Sequence, residues 1–217
     1  PQKNEVRHRC LSYAIDLLTT NRNKACCVDR KYVRDIYDYF LLQEETTEKK
    51  EADKIDIEYI KQWEKLHDSF VGIKRTEDLC VCYLAGSEPN NDFKELTDMG
   101  VLPHNIWAFE NDKTIFETAI SSYEQGVFPQ PKIVREKIEN FFKYTPKKFD
   151  IVYIDACGSV PSQKHSLKIV SLLCQYHRLN SPGIIITNFS SPDISKPNIL
   201  DAYALLVAQY LYFKTNY

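Results

Sequence analysis

A short apolar run that stops at a glycine restricts the folds open to this chain. Residues 79–84 read Leu-Cys-Val-Cys-Tyr-Leu, and Ala85, Gly86 and a polar stretch follow them. A strand that is buried on both faces loses the alternation of a half-exposed strand, so the run predicts a strand of a parallel sheet covered by helices. Because ligands of such sheets bind beyond the carboxyl ends of the strands, residues 85–91 become the candidate site.

Strand and helix patterns alternate along the rest of the chain. Further strands are predicted at residues 105–110, 132–134, 149–155 and 183–188, with apolar residues at helical spacing between them. Alternation of this kind predicts an α/β fold with a doubly wound, mainly parallel sheet.

Helical spacing dominates the first quarter of the chain, before any strand is predicted. We expect two helices within residues 5–42 and a mobile, charged linker at residues 43–58. Residues 1–55 are therefore predicted to be an N-terminal helical extension with a charged linker, and residues 56–217 the core. The first residue is not Met, so we expect a portion of a longer protein.

The overall charge argues against a dedicated nucleic-acid binder. The 217 residues carry a net charge of −2 with a pI near 6.3, and so lack the basic excess of such proteins. Two local basic clusters, at residues 3–34 and 132–148, are either phosphate-contacting surfaces or ordinary solvated helix faces. We favour a nucleic-acid partner at these clusters, and we also expect a protein partner or a larger parent chain.

The hydropathy and cysteine patterns predict a soluble, cytoplasmic protein. No apolar run approaches the roughly 18 residues that cross a bilayer, and the start is not a signal peptide. Seven cysteines are an odd number without a framework spacing, so we expect reduced thiols. Cys80 and Cys82 fall on one face of a strand, where core packing explains them better than a metal does. We predict no metal site and no membrane contact.

Two predicted strand ends carry residue types that bind a nucleoside. Gly86 after the first strand lets the backbone approach a ligand, and Glu110 after the second can accept hydrogen bonds from two ribose hydroxyls. The plainer interpretation is that acids end strands where the sheet meets water, and for Glu110 both remain open. NAD binding and Walker-type phosphate binding are disfavoured, because the chain has neither Gly-x-Gly-x-x-Gly after this strand nor Gly-Lys-Ser/Thr.

Three strand-end motifs resemble those of class I S-adenosylmethionine-dependent methyltransferases. They are Leu-Ala-Gly-Ser-Glu-Pro at 84–89, Trp-Ala-Phe-Glu at 107–110 and Phe-Asp-Ile-Val-Tyr-Ile-Asp at 149–155. The resemblance covers about residues 79–213, and it implies a Rossmann-like methyltransferase core with S-adenosylmethionine as cofactor.

The resemblance implies a role for each matching position. The first loop would pass beside the methionine part of the cofactor, Glu110 would hold the ribose, and Glu136 would lie near the adenine edge. Asp155, which ends the fourth strand, would face the cofactor and the acceptor, and it is the candidate catalytic residue. The candidate cofactor-binding residues are Ala85, Gly86, Ser87, Glu88, Glu110, Asn111 and Glu136.

Departures from the family pattern define the alternatives. Gly86 is the single glycine of the first loop, where most members have several, and the chain ends too early for the family's last two strands. Those two strands are either absent from the core or missing from this sequence at its C-terminus. Cys157 lacks the preceding proline of RNA cytosine methyltransferases, so we do not assign it as a nucleophile. Our hypothesis is methyl transfer from S-adenosylmethionine to an unidentified acceptor, with nucleic acid favoured. The alternative is a non-catalytic Rossmann-like scaffold or binding subunit that has lost cofactor binding.

Overall fold

Helices and parallel strands alternate after an N-terminal group of helices, as the sequence predicts. The structure is a computed structural model that describes residues 2–25, 28–72, 74–124, 131–159, 164–192 and 194–215. The elements in chain order are α1 (Gln2–Leu18), α2 (Tyr32–Leu41), α3 (Thr47–Ala52), α4 (Ile57–Val71), β1 (Val81–Leu84), α5 (Asn90–Asp98), β2 (Ile106–Phe109), α6 (Lys113–Glu124), β3 (Lys132–Val134), α7 (Ile138–Tyr144), β4 (Phe149–Ser159), α8 (Lys164–Gln175), β5 (Leu179–Ser190) and α9 (Pro197–Thr215).

The five strands form one sheet in the order β3-β2-β1-β4-β5, and every adjacent pair is parallel. This confirms the predicted doubly wound, parallel α/β fold. Strand β1 lies in the centre, where Val81 pairs with Ile106 of β2 on one side and with Ile151 of β4 on the other. The order of the strands reverses between β1 and β4, so the crevice at their carboxyl ends is the expected ligand site.

Helices pack on both faces of the sheet and create two hydrophobic cores. On one face, Leu11 and Leu18 of α1 and Leu96 of α5 pack against Val81 and Tyr83 of β1. On the other face, α7 and α8 pack against the sheet through a core that includes Cys80, Cys82, Phe142, Val152, Ile169 and Leu173. Alternate residues of β1 therefore serve opposite cores.

The two cysteines of the β1 region are core residues, as predicted. Cys80 is 5% exposed and Cys82 is 0% exposed, and both are free thiols. Burial raises the pKa of the Cys82 thiol well above its ordinary value. A buried thiol with a raised pKa is a poor nucleophile and a poor metal ligand.

Helix α1, which lies within the predicted N-terminal extension, packs against the sheet. Leu11 and Leu18 are both 0% exposed where α1 covers the sheet. The periodicity of the helix showed that one face is buried, but not which surface that face meets. The domain boundary near residue 55 otherwise stays a prediction.

The prediction of a mobile linker at residues 43–58 is wrong for its central part, which forms α3. Thr46 is the N-cap of this helix, because its hydroxyl oxygen accepts a hydrogen bond from the backbone N–H of Lys49 at 3.2 Å. Ala52 at the end of α3 is 3% exposed. The high charge of the segment is typical of a linker, so the sequence did not predict this short capped helix.

A buried carboxylate joins the amino ends of β1, β4 and β5. Asp150 of β4 is 0% exposed, and its Oδ2 accepts a hydrogen bond from the backbone N–H of Cys80 at 2.7 Å. Its Oδ1 accepts hydrogen bonds from Lys74 Nζ at 2.5 Å and from Asn180 Nδ2 at 2.7 Å. The Asp150 side chain therefore fixes the relative positions of the amino ends of β1, β4 and β5.

We expect Asp150→Ala to lower the free energy of unfolding by about 3 kcal/mol, because it leaves buried donors without an acceptor. Urea denaturation followed by circular dichroism measures the change. The matched control is Asp98→Ala, an exposed aspartate whose removal should alter stability by less than about 0.5 kcal/mol. An Asp150→Ala protein as stable as the control would contradict the structural role of this carboxylate.

Candidate active site at the carboxyl edge of the sheet

The loop after β1 places one glycine in a backbone conformation that other residues adopt at a cost. The loop begins at Ala85, which is 4% exposed and whose N–H donates to the carbonyl oxygen of Phe109 at 2.9 Å. Gly86 follows with φ of +59°, and a Cβ at this position would meet no atom within 4 Å. The positive φ value explains why a glycine occupies this position. The open space beside Gly86 leaves its backbone accessible to a ligand.

The remainder of this loop is held by the start of α5. The Tyr83 hydroxyl donates a hydrogen bond to the carbonyl oxygen of Pro89 at 2.9 Å from inside the core. Ser87 and Glu88 are exposed, and Glu88 Oε2 accepts a hydrogen bond from Asn91 Nδ2 at 2.9 Å. A single glycine is therefore sufficient for this turn, because Tyr83 and Pro89 fix its other end.

Glu110 stands directly after β2, beside the loop that follows β1. Its N–H donates to the carbonyl oxygen of Val134 at 3.1 Å, which continues the sheet by one residue. Its half-buried side chain accepts a hydrogen bond from the backbone N–H of Asp112 through Oε1 at 2.9 Å. This bond fixes the carboxylate, and its acceptor capacity is not exhausted. Asn111 is exposed next to it.

Glu136 follows β3, one strand farther from the centre of the sheet. It accepts a hydrogen bond from the Tyr144 hydroxyl of α7. This hydrogen bond raises the pKa of Tyr144 above its ordinary value. The sheet order thus brings Gly86, Glu110 and Glu136 to the ends of three adjacent strands, while their roles in cofactor binding stay predictions.

Asp155 lies at the same edge, where β4 and β5 pair. Asn188 Nδ2 donates to Asp155 Oδ1 at 2.9 Å, and Lys3 Nζ lies 2.9 Å from Oδ2. Burial alone would raise the pKa of Asp155, but the hydrogen bonds from Lys3 and Asn188 outweigh it and the pKa is lowered. Asp155 is therefore an oriented carboxylate that is ionised at neutral pH.

A buried ion pair between α1 and α5 lies next to this aspartate, and no sequence pattern predicts it. Arg7 Nε lies 2.6 Å from Asp92 Oδ1, with the two side chains 7% and 9% exposed. Burial raises the pKa of Asp92, whereas Arg7 opposes this. Burial and the charge of Asp155 raise the pKa of Tyr153 to about 12, so its phenol is neutral. The residues of this cluster come from segments that only the folded chain brings together.

A cavity of about 410 Å³ opens between α1 and the ends of β4 and β5. Lys3, Arg7, Tyr153, Thr187 and Asn188 contribute polar groups to its wall. Asp155 adjoins this wall because it contacts both Lys3 and Asn188. The cavity is large enough for a small planar group, and it places that group next to the candidate catalytic carboxylate.

The residues at this edge fit S-adenosylmethionine, which has no phosphate that would need a glycine-rich cradle. Gly86 offers open space beside backbone in a left-handed conformation, and Glu110 offers a fixed carboxylate with acceptor capacity for hydroxyls. The side chain of Cys157 lies outside the described residues.

The described part of the chain contains neither a candidate metal cluster nor a candidate membrane span. No group of three or more His, Cys, Asp and Glu side chains there could hold a metal ion. No helix there has the length and apolarity needed to cross a membrane.

Comparisons with known proteins found similarity in structure and none in sequence. No protein-family model and no curated protein matches the chain. Solved structures that resemble it include an rRNA methylase from Streptococcus thermophilus, with 15% identity, a TM-score of 0.40, and coverage of 65% of this chain and 77% of the methylase. The SAH-bound methyltransferase PaMTH1 from Podospora anserina has 14% identity, a TM-score of 0.43, and coverage of 85% and 69% respectively.

A third similar structure is an S-adenosylmethionine-dependent methyltransferase from Clostridium acetobutylicum. It has 15% identity and a TM-score of 0.38, with coverage of 74% of this chain and 58% of the other. At this level of similarity the three structures do not decide the activity, and the fold assignment rests on the strand order and parallel pairing observed in the chain itself.

We expect Lys3→Met to raise the pKa of Asp155, because the substitution removes a hydrogen bond and a positive charge. Carbon-detected NMR titration of the carboxyl group measures this pKa, which should lie below its ordinary value in the wild-type protein. A carboxyl with a lowered pKa in the folded state contributes stability above its unfolded pKa and loses it as the pH falls. That acid-labile contribution should shrink in Lys3→Met.

The matched control is Lys61→Met, which removes an exposed lysine that lies 3.3 Å from Glu58. This control should leave the Asp155 titration unchanged. Equal titration midpoints in wild type and Lys3→Met would show that the Lys3 contact does not act on Asp155 in solution.

Proposed function

We propose that the chain transfers a methyl group from S-adenosylmethionine to an acceptor bound at the carboxyl edge of the sheet. The observation that carries the proposal is the pairing of Gly86, open and left-handed after β1, with the fixed carboxylate of Glu110 after β2. These two positions match the first and second motifs of the family that the sequence resembles.

Bound S-adenosylmethionine would supply a methyl group already activated by its sulfonium, so the chemistry makes modest demands on the protein. The main task of the chain is to hold the acceptor atom in line with that methyl group. Glu110 would fix the ribose through its carboxylate, and the backbone at Gly86 would lie against the methionine part. Glu136 would border the adenine at the outer end of the site.

Asp155 would orient the acceptor. The lowered pKa keeps the Asp155 side chain ionised, and an ionised carboxylate can accept a hydrogen bond from the acceptor group and orient it. Asn188 holds the carboxylate in place. Because the Lys3 side chain is 63% exposed, it can leave Asp155 when an acceptor N–H or O–H takes its place.

Nucleic acid is the acceptor class that we favour, through residues 132–148. Arg135, Lys137 and Lys143 are exposed, and no carboxylate within the described ranges pairs with them. In the cluster at residues 3–34, by contrast, several cations pair with acids: Lys3 with Asp155, Arg7 with Asp92, Arg30 with Asp68 and Arg34 with Glu64. The cations near β3 are therefore better placed to contact phosphate.

We expect isothermal titration calorimetry to detect saturable binding of S-adenosylmethionine, weakened about tenfold or more by Glu110→Ala. The loss of hydrogen bonds from the ribose hydroxyls to a carboxylate accounts for a change of this size. Glu117→Ala on α6 is the matched control, because Glu117 is an exposed glutamate away from the strand ends. It should bind like the wild-type protein.

A folded wild-type protein that shows no heat of binding at millimolar S-adenosylmethionine would overturn the proposed activity. The chain would then be a Rossmann-like scaffold whose strand-end loop serves another purpose. Equal affinity in Glu110→Ala and wild type would retain the cofactor but reject the role given to this carboxylate.

We expect Lys137→Glu/Lys143→Glu to weaken binding of a single-stranded RNA and to reduce its salt dependence, because fewer phosphates are neutralised. Fluorescence anisotropy at several salt concentrations measures both effects. Lys94→Glu/Lys168→Glu changes the net charge equally at exposed positions on α5 and α8. If both double variants lose affinity to the same extent, the effect is one of net charge and not of this cluster.

A further inference from the structure

An apolar groove runs between α2, α3 and α4, far in sequence from the candidate active site. Val33, Ile36, Tyr37 and Phe40 form one wall, at the three- and four-residue spacing of a single helix face. The groove encloses about 530 Å³. Its opposite side includes Ala52 of α3 and Ile60 of α4.

The wall of this groove is amphipathic but incompletely covered. No residue of α2 is buried, although the helix segregates apolar and charged side chains strongly. On the other side, Ala52 is 3% exposed and Ile60 is 2% exposed, so the floor is well packed. Ile55 and Tyr59, which also line the groove, are 45% and 67% exposed. The apolar face of α2 is therefore incompletely covered, whereas Ala52 and Ile60 opposite it are buried.

The region around the groove is strongly acidic. Residues 35–58 contain nine acidic residues and three lysines, in a chain whose net charge is −2. Glu48 and Glu51 lie in the groove wall itself. Lys54 Nζ forms an ion pair with Glu51 Oε1 at 2.6 Å, whereas Glu48 forms no ion pair within the described ranges. A ligand that enters the groove therefore meets a negative potential.

We propose that this groove binds a basic amphipathic helix of a partner protein. The apolar face of that helix fills the groove against Ile36 and Phe40, and its lysines and arginines face the surrounding carboxylates. Helix α2 has 10 residues, so it spans roughly 15 Å and matches about three turns of a partner helix. The proposal does not depend on methyl transfer, because the groove lies in the helical layer formed by α2, α3 and α4.

A helix fits better than an extended peptide because of the groove's chemistry. The wall offers apolar side chains and two carboxylates, and it is built from helices, so it presents no strand edge with which an extended peptide could pair. An extended peptide would bury N–H and C=O groups with few partners. A helix satisfies its own backbone hydrogen bonds, so it can bury an apolar face without this penalty.

The test uses the full chain and a synthetic probe. The probe is a labelled peptide of about four turns built from repeats of Leu-Lys-Lys-Leu-Leu-Lys-Leu, which forms a basic amphipathic helix. Two control peptides keep its length: one alternates leucine and lysine so that no helical apolar face forms, and one replaces each lysine by glutamate. Fluorescence anisotropy gives the affinities, and NMR shifts of the ¹⁵N-labelled chain identify the binding surface.

We expect saturable binding of the helical peptide, with NMR shift changes concentrated in α2, α3 and the start of α4. Ile36→Lys should weaken this binding about tenfold or more, because it places a like charge in the groove. Asp98→Asn alters the net charge by the same amount at an exposed site of α5, outside the groove and its acidic surroundings, and should change the affinity less than about threefold. Phe40→Ala, which adds no charge, should also weaken binding.

Circular dichroism and thermal melting establish whether each variant is folded. If Ile36→Lys is not folded, the affinity of Phe40→Ala for the helical peptide tests the role of the groove. Equal binding of the helical and alternating peptides would overturn the proposal, since it would reflect charge alone. Shift changes outside the groove, or no binding of the helical peptide, would overturn it as well. Tighter binding of the glutamate peptide would reject the inferred charge of the partner.

Discussion

The buried carboxylate of Asp150 is the constraint on which the geometry of the candidate site depends. It accepts hydrogen bonds from Lys74 and Cys80 in the segment that leads into β1 and from Asn180 of β5, and it is fully buried. A buried charge tolerates little displacement of its donors, so the amino ends of three strands are fixed together. The parallel register begins at these amino ends, where Val81 pairs with Ile151, and it carries the alignment to the carboxyl ends, where Asp155 pairs with Asn188.

At the carboxyl edge, charge again holds the elements together, now between helices and strands. Arg7 ties α1 to Asp92 of α5, and Lys3 ties the start of α1 to Asp155. Helix α1 is therefore both a wall of the core and a border of the cavity beside β4 and β5.

The parts of the fold that sequence could predict are those that depend on local pattern. The apolar run of β1, the glycine that ends it and the acid after β2 are visible in consecutive residues, and the structure puts Gly86 in the left-handed conformation that only glycine adopts readily. The pairing of Arg7 with Asp92 was invisible, because the partners are 85 positions apart in the sequence and pair through tertiary packing. Helix α3 was missed for another reason: its charged composition is typical of a linker, and its stability comes from a cap and one buried alanine.

The central claim is that the strand-end loop and Glu110 together hold S-adenosylmethionine. The most direct measurement is a crystal structure of the chain with S-adenosylhomocysteine. Our account predicts density along the carboxyl edge, with the ribose hydroxyls against the Glu110 carboxylate, the adenine toward Glu136 and the thioether beside Gly86. An ordered ligand bound elsewhere, or an ordered loop with no ligand at saturating concentration, would contradict it.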